Sequence, residues 1–476
     1  MNFKSTASLA ALLLGAPLML RAQNELSNFT ATGRGGVANT FASDYQAIGI
    51  NPGNLGRIGG AKVAFTVGEF GLGAGTQSLT RDQFRNFIYD YEKGLTRDDK
   101  LALAKAFTSD NALNANADAT TFALAVAIPS LGTVAISNRQ RIASHVALNQ
   151  NAAEIMFLGK NAPIVTNNFN PDGTPKNVAT LPQLSSALDG TALQLAWYNE
   201  YNIAYGNRVI DKPTFQLSVG GGYRYIQGIG VVDVRIDGGA VEAYSALSPL
   251  FKINYGSLQT NPNASGFNYR TNAGGLQPVG TGHGFDFGVA MEAGKALRLG
   301  LSLTDMGKMT WEGNLLTAND QKLRYLESEG VNSYNFIKEA AQLFAGGTES
   351  LFQYQAQSKR TASLPTKLRA GAGFRISEYF ETGLDVTLPM NKVAGNLSSP
   401  FVGLGVDYKP TRWVRLSSGV TAGAGYSVSV PLGVTFTAGP YEGGISTRDL
   451  TGLLFTEHPY ISMAAGFLRF KFGKVE

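Results

Sequence analysis

The sequence predicts an all-β protein: a closed antiparallel transmembrane β-barrel of about 14 strands. An N-terminal hatch would sit in its lumen, and helices would be inserted in its surface loops. Three observations predict this. Strand-length segments alternate apolar and polar residues along most of the chain. The connections between them alternate long and short. The composition pairs 57 Gly, 27 Phe and 19 Tyr with only 16% charged residues, where soluble proteins carry about a quarter.

Met1 to Ala22 reads as a secretory signal peptide, with Lys4 as its positive start and an apolar stretch, Ala7 to Leu20, interrupted by Pro17. Cleavage is expected after Ala22. Beyond it no run reaches the roughly 18 apolar residues of a membrane helix. The chain has no Cys, which excludes a lipobox, disulfides and thiolate metal sites. Residues 23–60 follow as the hatch and 61–476 as the barrel.

The hatch contains Ala31-Thr-Gly33-Arg34-Gly35-Gly36-Val-Ala-Asn39, then Asp44 and Asn51-Pro52-Gly53. It is too rich in Gly, Asn and small residues for a long regular element, and it lies just before the first alternating strand. The glycines, the Asp and the Asn-Pro pair resemble the N-terminal hatch of the FadL-like outer-membrane transporters. That family carries Asn-Pro-Ala where this chain has Asn51-Pro52-Gly53. The resemblance implies a barrel closed by residues Gly33, Arg34, Gly35, Gly36, Asp44, Asn51, Pro52 and Gly53.

From Ala61 onward the alternation can be counted. Phe285, Phe287, Val289 and Met291 alternate with Asp286, Gly288, Ala290 and Glu292; Leu297, Leu299, Leu301 and Leu303 alternate with Arg298, Gly300, Ser302 and Thr304. A sheet over a soluble core has the same period, so the connections decide. Short ones fall at Ser130-Leu131, Asn207–Lys212, Gly294–Ala296, Ser377, Pro410 and Ala438-Gly439. Long ones cover 71–119, 150–190, 246–283, 306–364 and 389–400. Short periplasmic turns opposite long outer loops are the pattern of bacterial outer-membrane barrels.

Two loops carry apolar residues at helical spacing, within 81–108 (Phe84, Phe87, Tyr91, Leu101, Phe107, with Thr96 as an N-cap) and within 332–345. Phe84, Phe87 and Tyr91 are candidates for a ligand or partner surface, as are Leu453, Leu454 and Phe455 in a late loop. On the third strand Asn138, Arg139, Gln140 and Arg141 interrupt an apolar outward face after about six residues, where spanning needs about 9–11. Either the strand has already left the bilayer, or these residues mark a lateral opening like the one FadL-like transporters have in that strand.

Inward-facing charges include Arg224, Asp286, Glu292, Arg298, Asp385, Asp407 and Arg415. Both signs on one face suggest pairing inside a plugged lumen and not a selectivity ring. The three His, at 145, 283 and 458, form no hydrolase constellation, and no cofactor, metal or nucleic-acid motif is present. No enzyme activity is expected.

Ser302-Leu-Thr-Asp-Met-Gly-Lys-Met-Thr-Trp-Glu-Gly-Asn314 resembles a strand-end signature of an uncharacterised Bacteroidota-type outer-membrane family. That resemblance covers essentially the whole mature chain and implies a FadL-like barrel, in organisms where a related barrel serves type IX secretion. Two functions follow as expectations. The first is passive outer-membrane transport of a hydrophobic small molecule; the second is a non-enzymatic scaffold for a surface or secretion partner. Outer-membrane lipid is expected around the wall in either case.

Overall fold

The computed structural model describes residues 28–474 except 77–78, 91, 108–111, 263–265, 272–273, 295, 335–338, 340–342, 345–349, 398, 424–425 and 451–459. Fourteen antiparallel strands close into a barrel. They are β1 (Val63–Thr66, resuming as Glu69–Thr76), β2 (Ala112–Ile128), β3 (Gly132–Ala147), β4 (Thr191–Lys212), β5 (Phe215–Asp237), β6 (Gly280–Ala293) and β7 (Leu297–Trp311). Then come β8 (Arg360–Ser363, resuming as Lys367–Arg375), β9 (Phe380–Pro389), β10 (Phe401–Tyr408), β11 (Val414–Gly423), β12 (Tyr426–Ser429, resuming as Leu432–Ala438), β13 (Tyr441–Thr447) and β14 (Tyr460–Phe472). Closure pairs Val63 with Phe472 and Glu69 with Gly466. A closed sheet leaves no backbone edge for lipid to strand.

The side-chain faces follow the two-residue period. Phe285, Phe287, Leu299, Leu301, Leu384 and Leu404 are exposed on the outer wall, while Asp286, Ser302, Asp385 and Asp407 are buried within. Leu301→Arg is expected to hinder assembly, since Arg at the midplane of the lipid face costs about 2–4 kcal/mol. The check is the fraction of chain that runs as a compact, heat-modifiable band.

The short connections lie at one end and the long ones at the other, but several expected boundaries move: β6 starts at Gly280, β7 runs to Trp311 and β8 starts at Arg360, inside the expected 246–283 and 306–364 loops. The turn expected at Asn207–Lys212 is instead strand: β4 runs to Lys212, with Asp211 opposite Gln216. The turn is the Pro213-Thr214 pair that follows. The loop expected over 71–119 shrinks to 77–111, because β2 starts at Ala112. Its upper half sets Ala115, Ala117 and Ala119 outward against buried Asn114, Asn116 and Asp118, a weak apolar alternation that is easily read as loop. Proteinase K added to intact cells is expected to cut within 81–106 and spare 213–214; cutting at 213–214 alone would invert the orientation.

Above the wall, the long loops fold into a cap. Its apolar cluster includes Leu103, Phe107, Ile155, Met156, Phe157, Leu326, Tyr334 and Phe344, and joins the strand tops through Leu113, Leu193, Leu195 and Val234. Residues 81–108 contain two helices, Arg81–Tyr89 and Arg97–Ala106, each started by a capping box (Thr80 with Gln83, Thr96 with Asp99). Helix Gln150–Leu158 packs against the second of them. Leu103 and Phe107 are covered, whereas Leu101 stays half exposed. Much of the helix expected within 332–345 lies outside the described residues.

Candidate functional site

Residues 28–60 touch strands on every side of the closed barrel, so they occupy its lumen. The path begins with helix Phe29–Gly33, capped by Asn28. Gly35 and Gly36 take left-handed backbone (φ 69° and 80°), and the Gly36 amide bonds back to the Ala31 carbonyl at 2.7 Å, ending the helix. A one-turn helix follows at Tyr45–Ala47 and another at Pro52–Gly56. At the latter, Asn51 is extended and its side chain accepts from the Gly53 amide at 3.0 Å. Pro52 sets the entry angle of that turn.

Ties to the wall run right round it. Ser446 Oγ donates to the Phe29 carbonyl at 2.7 Å on β13. Arg34 pairs with Asp407 at 2.7 Å on β10. The Ala38 and Asn39 amides both donate to Asp385 Oδ2 at 2.7 Å on β9. Asn39 Nδ2 donates to the Gly300 carbonyl at 3.0 Å on β7, and Asn51 Nδ2 to the Val289 carbonyl at 3.0 Å on β6. Arg57 pairs with Glu292 at 2.8 Å. Tyr45 and Gln46 donate to Glu69 on β1, and Asp44 pairs with Arg469 at 2.6 Å on β14. Burial pushes the Asp44 carboxyl up, but Arg469, Lys471 and the Gln46 amide more than offset it and hold it below the usual range.

Two wall glycines make room for the Asn51-Pro52 turn. A Cβ on Gly288 would overlap Asn51 Oδ1, and one on Gly220 would overlap the Pro52 carbonyl. One cavity between segment and wall, of about 30 Å³, is lined by Asn28, Tyr45, Gln46, Glu69, Ser137 and Arg139 among others. That holds about one water. Ser302 shows how full the lumen is: it points inward as expected, yet it is buried and donates to the Ile50 carbonyl at 2.5 Å. An Arg there would therefore collide with the segment and not extend into open space.

Beside the segment lies a network of wall residues. Arg224 pairs with Asp286 and with Asp305, each at 2.6 Å. Arg141 reaches Glu200 at 2.9 Å and Asp305 at 3.2 Å, and Arg139 binds Asp118. Asp305 sits at φ 58° beside a bulge in the β6–β7 ladder, and its amide donates to Asp286 at 2.8 Å. The Ser302–Asn314 motif thus supplies the hub of a buried charge cluster.

Of the four residues expected to break the outward face of β3, two do so. Arg139 and Arg141 point inward into the ion pairs above, as the two-residue alternation requires. Asn138 and Gln140 face outward in an amide cluster: both donate to Asn199 Oδ1 at 2.8 and 2.7 Å. Asn199 donates to Gln227 at 2.9 Å, and Trp197 Nε1 to Gln140 at 2.9 Å. Thr121, at a bulge in β2, donates to Asn138 Oδ1 at 2.6 Å. The ladders from Thr133 to Ala147 run unbroken to β4. These side chains stitch the wall where bulges interrupt it.

Tyr91, Leu453, Leu454 and Phe455 lie outside the described residues, as do the side chains of Phe84 and Phe87. The sequence reading passed over Asn39, which accepts from Asn51 Nδ2 at 2.8 Å and from Asn54 Nδ2 at 2.7 Å. It also passed over Arg57, Tyr45 and Glu69. No local pattern marks them, because their partners lie elsewhere in the hatch or on strands that meet it only in the folded barrel.

A family model, "Family of unknown function (DUF5723)", matches residues 61–445. The chain belongs to this family. The match starts at the first strand, so the lumen segment of this DUF5723 chain precedes the matched span. No curated protein sequence matches it. Among solved structures it is similar to two toluene transporters and a FadL homologue. The Ralstonia pickettii toluene transporter TbuX is 11% identical with a TM-score of 0.43, over 95% of this chain and 99% of that one. The Pseudomonas putida toluene transporter TodX is 9% identical with a TM-score of 0.44, over 95% and 99%. A Pseudomonas aeruginosa FadL homologue is 12% identical with a TM-score of 0.42, over 96% and 100%.

Proposed function

We propose that this DUF5723 chain is a passive transporter of hydrophobic small molecules in the outer membrane of a Gram-negative bacterium, exported by its signal peptide and gated by residues 28–60 acting as a hatch. The observation that carries the reading is a lumen filled by a polar segment that is held by hydrogen bonds and ion pairs and is not part of the wall. The apolar cluster in the mouth favours an apolar solute, since such a solute could exchange places with its side chains at little cost. Axial passage beyond it meets the buried charges around Arg224 and Asp305, which an apolar solute cannot solvate. The route therefore turns outward through the wall at β3, and the Asn138–Gln140–Asn199 cluster is what must part.

The test is entry of an apolar fluorophore into liposomes containing the purified full-length chain. Uptake is expected to exceed that of empty liposomes and to fall when Asn138 and Asn199 are cross-linked through paired cysteines, which the Cys-free chain makes a clean experiment. Uptake no faster than in empty liposomes would remove the transport reading. A protein partner co-purifying in stoichiometric amount, with no uptake, would favour a scaffold.

A further inference from the structure

The ties between hatch and wall are not equivalent. Three of the wall groups involved have a second partner on the wall. Asp407 also accepts from Ser417 at 2.6 Å, Arg469 also pairs with Glu442 at 2.9 Å, and Glu292 lies 3.4 Å from Arg298. If the hatch left, each would keep that partner. Two wall carboxylates would not. Both hydrogen bonds accepted by Asp385 come from hatch amides, those of Ala38 and Asn39, and its other oxygen accepts none among the described residues. Both accepted by Glu69 come from hatch side chains, Tyr45 and Gln46. Both residues are buried, 5% and 2% exposed.

Their positions matter as much as their bonding. Asp385 is on β9 and Glu69 on β1, nearly opposite each other around the fourteen-strand ring. Between them they grip the hatch at two points, one by its backbone and one by its side chains. A carboxylate whose donors all belong to the hatch must give up its whole set of charge-assisted hydrogen bonds before water can replace them, whereas one with a wall partner gives up only part.

We infer that Asp385 and Glu69 are the two latch residues of the hatch, and that the barrier to its release is concentrated at them. This rests on the reading of residues 28–60 as a gate. The charged groups near each latch are Arg369 and Arg34 for Asp385, and Arg469 and Asp44 for Glu69. They set the strength of the latch without making an ion pair to it.

The test uses the absence of native Cys. Thr40, buried in the hatch, is replaced by Cys in the full-length chain, and its labelling by a water-soluble maleimide is timed in liposomes. Asp385→Asn and Glu69→Gln, which keep the shape and remove the charge, are each expected to speed labelling about tenfold or more, the factor that ~1.4 kcal/mol represents. The double variant should be faster still. Glu381→Gln, a wall carboxylate held by Arg375 and Arg298, should label at the parent rate. A heat-modifiable band shows that each variant has folded. If both latch variants label at the parent rate, the latch is wrong, even where a barrel lacking residues 28–56 conducts ions. If that deletion barrel stays closed, the gate reading fails and the latch falls with it.

Discussion

A barrel lacking residues 28–56 is expected to insert and to conduct ions in planar bilayers, while the full-length chain stays nearly closed. The deleted segment is buried along most of its length and is tied to strands all round the barrel. Removing it opens the lumen from the periplasmic side up to the cap. The wall should survive, because its fourteen-strand ladder and the Arg224–Asp305 cluster draw nothing from the segment's side chains. Single-channel recording decides the matter. A deletion barrel that inserts yet stays as closed as the full-length chain would show that the cap alone seals the pore.

Replacing Arg224 by Met is expected to have the largest effect on stability. Arg224 is almost wholly buried and donates to Asp286 and Asp305, with Glu200 3.5 Å away. Without it three buried carboxylates face one another, with Arg141 and Lys367 the cations paired to them among the described residues. Breaking a buried pair by removing one partner costs about 3–5 kcal/mol. Urea unfolding in detergent micelles should shift by that order. Arg224→Lys should recover part of it, since Lys keeps the charge but loses the two-pronged geometry. An unchanged midpoint for Arg224→Met would mean that Arg141 and Lys367 carry the cluster alone.

The alternating strands needed no tertiary information. Leu297 to Thr304 reads as wall from its residues alone, because lipid on one face and a polar lumen on the other impose a period of two. The same rule would have placed Arg139 and Arg141 inside, had it been applied strictly through residues 138–141. Where β2 relies on Ala for its outer face, the signal was too weak to mark the strand, and the turn at Pro213-Thr214 was hidden behind polar residues that are still paired. The helix at Gln150–Leu158 was missed because it is apolar nearly all round, buried in the cap on most sides, and so shows no stripe.

The hatch divides the same way. Its glycines and the Asn51-Pro52 turn are local features, fixed by backbone conformations that few other residues adopt. That Asn39 gathers Asn51 and Asn54 depends on how the hatch folds on itself, while that Asp385 receives two hatch amides and that Asp44 meets Arg469 are decided only by closure of the barrel. Closure brings groups some 350 to 425 residues apart in sequence within hydrogen-bond reach. A carboxylate on an inward face is visible in the sequence. Which partner satisfies it depends on strand register and on what fills the lumen, and neither is written in the spacing of one segment.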